Sequence, residues 1–123
     1  MQKPVKIPGP DHPITLAHHP KGIRVTFNGR VVAETGRALV MEEGGYPIVF
    51  YLPREDADQS LLIRTAHSTY CPYKGDASYF SIRVGDRISE NAIWTYEAPY
   101  DAVAPIKERL AFYPARVDSI DEI

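Results

Sequence analysis

Between Ile23 and Phe27 the chain alternates, with Ile23, Val25 and Phe27 apolar and Arg24 and Thr26 polar. A period of two marks a strand with one face buried. Asn28-Gly29 follows, and a β-branched run resumes from Arg30 to Glu34. Both turn residues tolerate the positive φ of a type I′ turn, so this segment predicts a β-hairpin. Ile14–Ala17, Ala38–Glu43 (closed by Gly44-Gly45) and Pro47–Leu52 (ended by Pro53) predict three more strands. Arg54–Gln59 is polar and follows a proline, which suits a loop or a single helical turn.

Ser60–Ser68 and Ala77–Val84 predict strands joined by a loop that holds Cys71. In the second, Phe80, Ile82 and Val84 share one face, and Tyr79, Ser81 and Arg83 the other. After a turn at Gly85-Asp86, Ala92–Ala98 alternates again with Trp94 and Tyr96 on one side, and Leu110–Tyr113 predicts the last strand. Asp101–Arg109 is the best helix candidate, but Pro105 keeps any helix short. Val117–Ile123 reads as an acidic tail with room for one helical turn. About eight or nine short strands at roughly ten-residue spacing predict a mainly β, antiparallel domain.

Length and composition narrow this picture. A chain of 123 residues is one domain by size. Pro4, Pro8, Pro10 and Pro13 make residues 1–13 a proline-rich arm, extended or ordered only by docking, ahead of a β-domain over 14–123. Fourteen basic residues against sixteen acidic ones, a formal charge of −2, oppose nucleic acid or an anionic membrane as a general partner. A single cysteine excludes an internal disulfide and zinc sites built on two or four cysteines, and it fits a reducing, cytoplasmic compartment. The N-terminus lacks the apolar core of a signal peptide, and no apolar run is long enough to span a bilayer. No motif calls for a cofactor.

Reactive side chains concentrate between Thr65 and Tyr79. Cys71 is a candidate nucleophile or redox thiol, with Lys74 and His67 near enough in sequence to lower a thiol pKa. The alternative is a small buried hydrophobe at a strand end, fixed by Pro72. Lys74-Gly75 suits an anion, through a lysine charge and close backbone approach, or is a solvated turn; the full phosphate-loop pattern is missing. Tyr79, Trp94 and Tyr96 suit the wall of a pocket for a flat ligand, or plain core. If their strands pair, Cys71, Lys74, Tyr79 and Trp94 converge at one sheet end. His18-His19 point to opposite faces of a strand, and Asp118, Asp121 and Glu122 lack calcium-loop spacing, so neither set predicts a metal site. Glu42 and Glu43 fail as a hydrolase pair for the same geometric reason.

The pattern Pro47…Tyr51-Leu52-Pro53…Asp56, Cys71-Pro72-x-Lys74-Gly75-x-Ala77-x-Tyr79, Trp94-x-Tyr96-x-x-Pro99 and Ala111-Phe112…Asp118 resembles the DUF427 family of bacterial and fungal proteins. The resemblance runs from about residue 23 to the end of the chain, with the Cys71 and Trp94 segments together as its most specific part. The family's function is unknown. A nucleotidyltransferase-like label is attached to it, but no Gly-Ser motif followed by a paired-aspartate strand occurs here to hold the metals of that chemistry. The resemblance implies a compact β-tent fold, shared with B-type methionine-sulfoxide reductases and the cereblon ligand-binding domain. The structural zinc of several β-tent proteins needs a CxxC pair, which this chain lacks. Three functions follow as expectations. The first is a small-molecule pocket formed by Cys71, Lys74, Gly75, Tyr79, Trp94 and Tyr96. The second is an enzyme using Cys71 or Lys74, and the third a protein-interaction module.

Overall fold

A computed structural model describes residues 3–123. Its strands are β1 (Ile14–His18), β2 (Ile23–Phe27), β3 (Arg30–Thr35), β4 (Leu39–Glu43), β5 (Val49–Tyr51), β6 (Leu62–Cys71), β7 (Gly75–Val84), β8 (Arg87–Tyr96), β9 (Ala111–Phe112) and β10 (Ser119–Glu122). They form three antiparallel sheets, ordered β1-β4-β5, β10-β2-β3 and β6-β7-β8-β9. The fold is mainly β, as the alternation predicts. Among the described residues, no helix is long and apolar enough to cross a membrane.

The Asn28-Gly29 hairpin forms between β2 and β3, with φ of +48° and +77° at its two turn residues. Three expectations are corrected. Val117–Ile123 is not a helical turn: Ser119–Glu122 is a strand that adds to β2, with Ile120 opposite Val25. Its hydrogen-bonding partner lies about a hundred residues earlier, so no local pattern announces it. Asp101–Arg109 is not an α-helix: a 3₁₀ segment, Asp101–Ile106, stands there, interrupted at Val103 and carrying Pro105. It is held by i→i+3 bonds, Val103 N–H to the Tyr100 carbonyl at 3.0 Å and Lys107 N–H to the Ala104 carbonyl at 3.1 Å, and by burial of Val103 and Ile106. Finally, the Cys71 loop shrinks to a tight turn. β6 runs through Cys71 and β7 begins at Gly75, so only Pro72–Lys74 lie outside the ladder.

Two buried clusters lie against the sheets. One gathers Ile23, Val25, Phe27, Val32, Leu52, Ile82, Ile93, Leu110 and Phe112. The other gathers Leu39, Met41, Tyr51, Ala77, Tyr79, Tyr96, Val103, Ile106 and Ala111, with Cys71, Trp94 and Tyr113 packed on its margin. The two residues of β9 divide between them, Ala111 to one and Phe112 to the other.

The arm docks on its own chain. Lys6 donates its backbone N–H to the Pro72 carbonyl at 2.9 Å, and the Tyr70 hydroxyl donates to the Pro4 carbonyl at 2.5 Å. Further along, Gly44 donates to the Pro13 carbonyl at 3.0 Å. Prolines leave few donors of their own, so the body supplies most of them.

Candidate functional site

The Cys71–Gly75 turn brings Lys74 onto β4. Its Nζ donates to Glu43 Oε1 at 2.5 Å, with the two side chains 12% and 15% exposed. The other carboxylate oxygen, Oε2, lies 2.6 Å from His12 Nε2. The His12 ring stacks on Tyr73 at 3.9 Å, with the planes 4° apart. Burial alone would raise the Glu43 carboxyl, but the hydrogen bonds and charges of Lys74 and His12 outweigh it and hold the group below its usual range. The turn lysine is therefore not a free cation waiting for an anion; an internal carboxylate holds it. Gly75 has φ of +110°, and a Cβ there would meet the Ala98 carbonyl oxygen at 3.4 Å, so glycine serves the backbone at this position.

Cys71 is half-buried and packs on the margin of the tyrosine-rich cluster. His67 stands edge-on to the Tyr79 ring at 4.4 Å. Tyr79 and Trp94 are direct register partners on β7 and β8, so they share a face, as do Ala77 and Tyr96 two pairs further on. The Tyr79 hydroxyl lies 2.9 Å from Thr69 Oγ1 and 3.2 Å from the Tyr113 hydroxyl, forming a short polar chain within the aromatic cluster. Burial and the Tyr79 contact push Tyr113 up to about 12. Tyr96 and Tyr51, more deeply buried, are raised further by desolvation of the phenolate. Their chemistry is that of core tyrosines.

Trp94 faces two ways. It stacks obliquely on Tyr113 at 4.5 Å and meets Tyr51 edge-on at 6.4 Å. It also lines an open cleft of about 500 Å³ with Phe50, Leu52, Phe112, Val25 and the β10 segment. The cleft lies at the seam between the two buried clusters, where Val25 and Phe112 belong to one and Trp94 and Val49 pack on the other. A smaller cleft of about 370 Å³, lined by Met41, Glu43, Tyr46 and Pro47, shares Ile48, Val49 and Pro114 with it. Of the six ligand-binding residues expected from the sequence, Trp94 lines the larger cleft. Cys71, Lys74, Gly75, Tyr79 and Tyr96 lie away from its walls, in the turn and the core.

Several contributors carry no local signal. Phe50, Phe112 and Ile120 read from the sequence as ordinary strand apolars, and His12 as an arm residue. Glu43 was visible only as one of two adjacent acids, and its pairing with Lys74 spans 31 positions. Three of the other candidates, His19, Glu122 and Asp118, are engaged in pairs. His19 meets Glu122 at 2.7 Å, and Asp118 meets Arg87 at 3.0 Å. No group of three His, Cys, Asp or Glu side chains suited to a metal ion occurs among the described residues.

A family model described as a domain of unknown function, DUF427, matches residues 15–122, nearly the whole chain. The chain belongs to the DUF427 family. Comparison with curated proteins gives no match. The match takes in the Lys74–Glu43 pair, Trp94 and all the residues lining the larger cleft, whereas His12 and the arm precede it. The DUF427 domain proper thus contains the cleft, and the segment before it adds the latch onto Glu43.

Proposed function

We propose that this DUF427 domain binds an organic small molecule in the cleft walled by Trp94. The observation that carries the reading is the cleft itself. Its volume of about 500 Å³ suits a drug-sized or metabolite-sized ligand, and three aromatic side chains (Trp94, Phe50 and Phe112) line it. A flat or apolar group laid on Trp94 gains both desolvation and ring contact. An enzyme built on Cys71 has less support: Lys74, the nearest cation in sequence, is committed to Glu43, and the thiol packs on the core margin.

Trp94 is the only tryptophan in the chain, so its indole reports on the cleft without interference. The test is a fragment screen by two-dimensional NMR on isotope-labelled protein. Binding at this site moves the single indole N–H resonance together with amides of Phe50, Phe112 and Ile120. A screen whose hits all shift other regions, or that yields no hits, would overturn the reading.

A further inference from the structure

Each of the three sheets ends at the Trp94 cleft. β5 is the last strand of one sheet, β9 of another and β10 of the third. Phe50, Phe112 and Ile120, one from each, line the cleft. The lining takes consecutive residues, 48–50 at β5 and 118–121 at β10. A cleft resting on one face of a strand would touch alternate residues, so these strands turn their backbone edges to it.

The phase of each ladder fixes which backbone groups the edges offer. Residues of an antiparallel strand direct their N–H and C=O alternately to one neighbour and to the other side. Leu52 and Leu110 exchange both hydrogen bonds at 2.8 Å, on the sides of their strands turned away from β4 and β8. Phe50 and Phe112, two residues away on each strand, therefore direct their N–H and C=O to those same sides. Continued pairing would join them, but no register does: the two strands part there, and both side chains line the cleft. On β10, Ile123 donates to the Gly22 carbonyl at 2.9 Å, so the backbone groups of Asp121 face β2 and those of Ile120 face away from it. Among the described residues, no ladder or bridge takes up the outward groups of Phe50, Phe112 and Ile120.

Resting on the reading that the Trp94 cleft binds a small molecule, we propose that the ligand is a short apolar peptide in extended form, adding its backbone to these open edges and laying a side chain on Trp94. An extended residue presents its N–H and C=O on one side, which matches the pair that each of Phe50, Phe112 and Ile120 offers. Its side chains stand roughly perpendicular to those bonds, so one reaches the aromatic wall while the amides stay on the edges. A purely hydrocarbon ligand would cover the same donors and acceptors and leave them unanswered, which costs free energy.

The experiment uses three uncharged probes. One is the capped dipeptide N-acetyl-leucyl-phenylalanine N-methylamide. The second is its analogue built from the corresponding hydroxy acids, in which esters keep the shape and remove both residue N–H donors. The third is phenylpropanol, which has the aromatic group and no amide. Each is titrated into the full chain while the Trp94 indole resonance, the backbone amide resonances and amide hydrogen exchange are followed. The proposal expects the peptide to bind about three- to tenfold tighter than its ester analogue, as for one or two net hydrogen bonds. Exchange should slow at one or more of Phe50, Phe112 and Ile120 when the peptide is bound. Equal affinities for all three probes at Trp94 would overturn the peptide assignment and leave the cleft standing as a binding site. Protection that appears along β6, the longest open edge, in place of these residues would overturn the placement. A peptide that leaves Trp94 unmoved overturns the proposal outright, and the fragment screen then decides the cleft reading by itself.

Discussion

Lys74 Nζ and Glu43 Oε1 meet at 2.5 Å with both side chains largely withdrawn from water. The pair joins the β6–β7 turn to the end of β4, two parts of the fold in different sheets. Breaking it from one side leaves a carboxylate in poor solvent with only His12 to answer it. Lys74→Met is expected to cost about 2–3 kcal/mol, less than a fully buried pair because some solvent access remains. Removing both charges in Lys74→Met with Glu43→Leu should recover most of that loss. Urea denaturation of the two single variants and the double variant measures the coupling directly.

Acid should destabilise the fold through two carboxylates. Arg64 donates to Glu97 through both guanidinium ends, at 2.5 and 3.1 Å, and holds that carboxyl at about 2 against a smaller opposing effect of burial. Glu43 is lowered as well, by Lys74 and His12 against burial. A carboxyl lowered in the folded state contributes stability that is fully present above the unfolded pKa, about 4.3 for Glu. That contribution is lost as the pH falls through the folded value, for Glu97 down to about 2. Glu97→Gln should flatten the lower part of this profile. Stability that rises on acidification would contradict the assignment.

Cys71 should behave as a packed thiol. It ends β6 against the tyrosine cluster, and the neighbouring lysine is engaged elsewhere. Alkylation of the folded protein at neutral pH is expected to be slower than that of free cysteine, and to reach the free rate in denaturant. Reaction faster than free cysteine would restore the case for a nucleophile.

Gly75 and Gly36 make a matched pair. Gly75 sits at φ +110° facing the Ala98 carbonyl, whereas a Cβ on Gly36 would meet nothing within 4 Å. Gly75→Ala should cost about 1–3 kcal/mol through backbone strain. Gly36→Ala should be neutral or slightly stabilising, since it only restricts the unfolded chain. Thermal or urea unfolding separates the two.

The local chemistry of the chain was sufficient for most of the strands, because a strand with one buried face writes a period of two into its own residues. Ile23–Phe27 with Asn28-Gly29 is the clearest case: the alternation and the turn are both contained in neighbouring positions. The proline at 105 likewise ruled out a long helix without help from the rest of the fold. β10 shows where this stops. Ser119–Glu122 has only one apolar residue and becomes a strand because β2 offers an unpaired edge to it. The site divides along the same line. The sequence marked Trp94 as an aromatic on a strand face and Lys74 as a charge in a turn, both properties of single positions. Tertiary structure alone decided that Lys74 is spent on Glu43 and that Trp94 borders a cleft with Phe50, Phe112 and β10. Those neighbours are set by which strands pair and how the sheets pack, and residues far apart in the chain carry no local record of meeting.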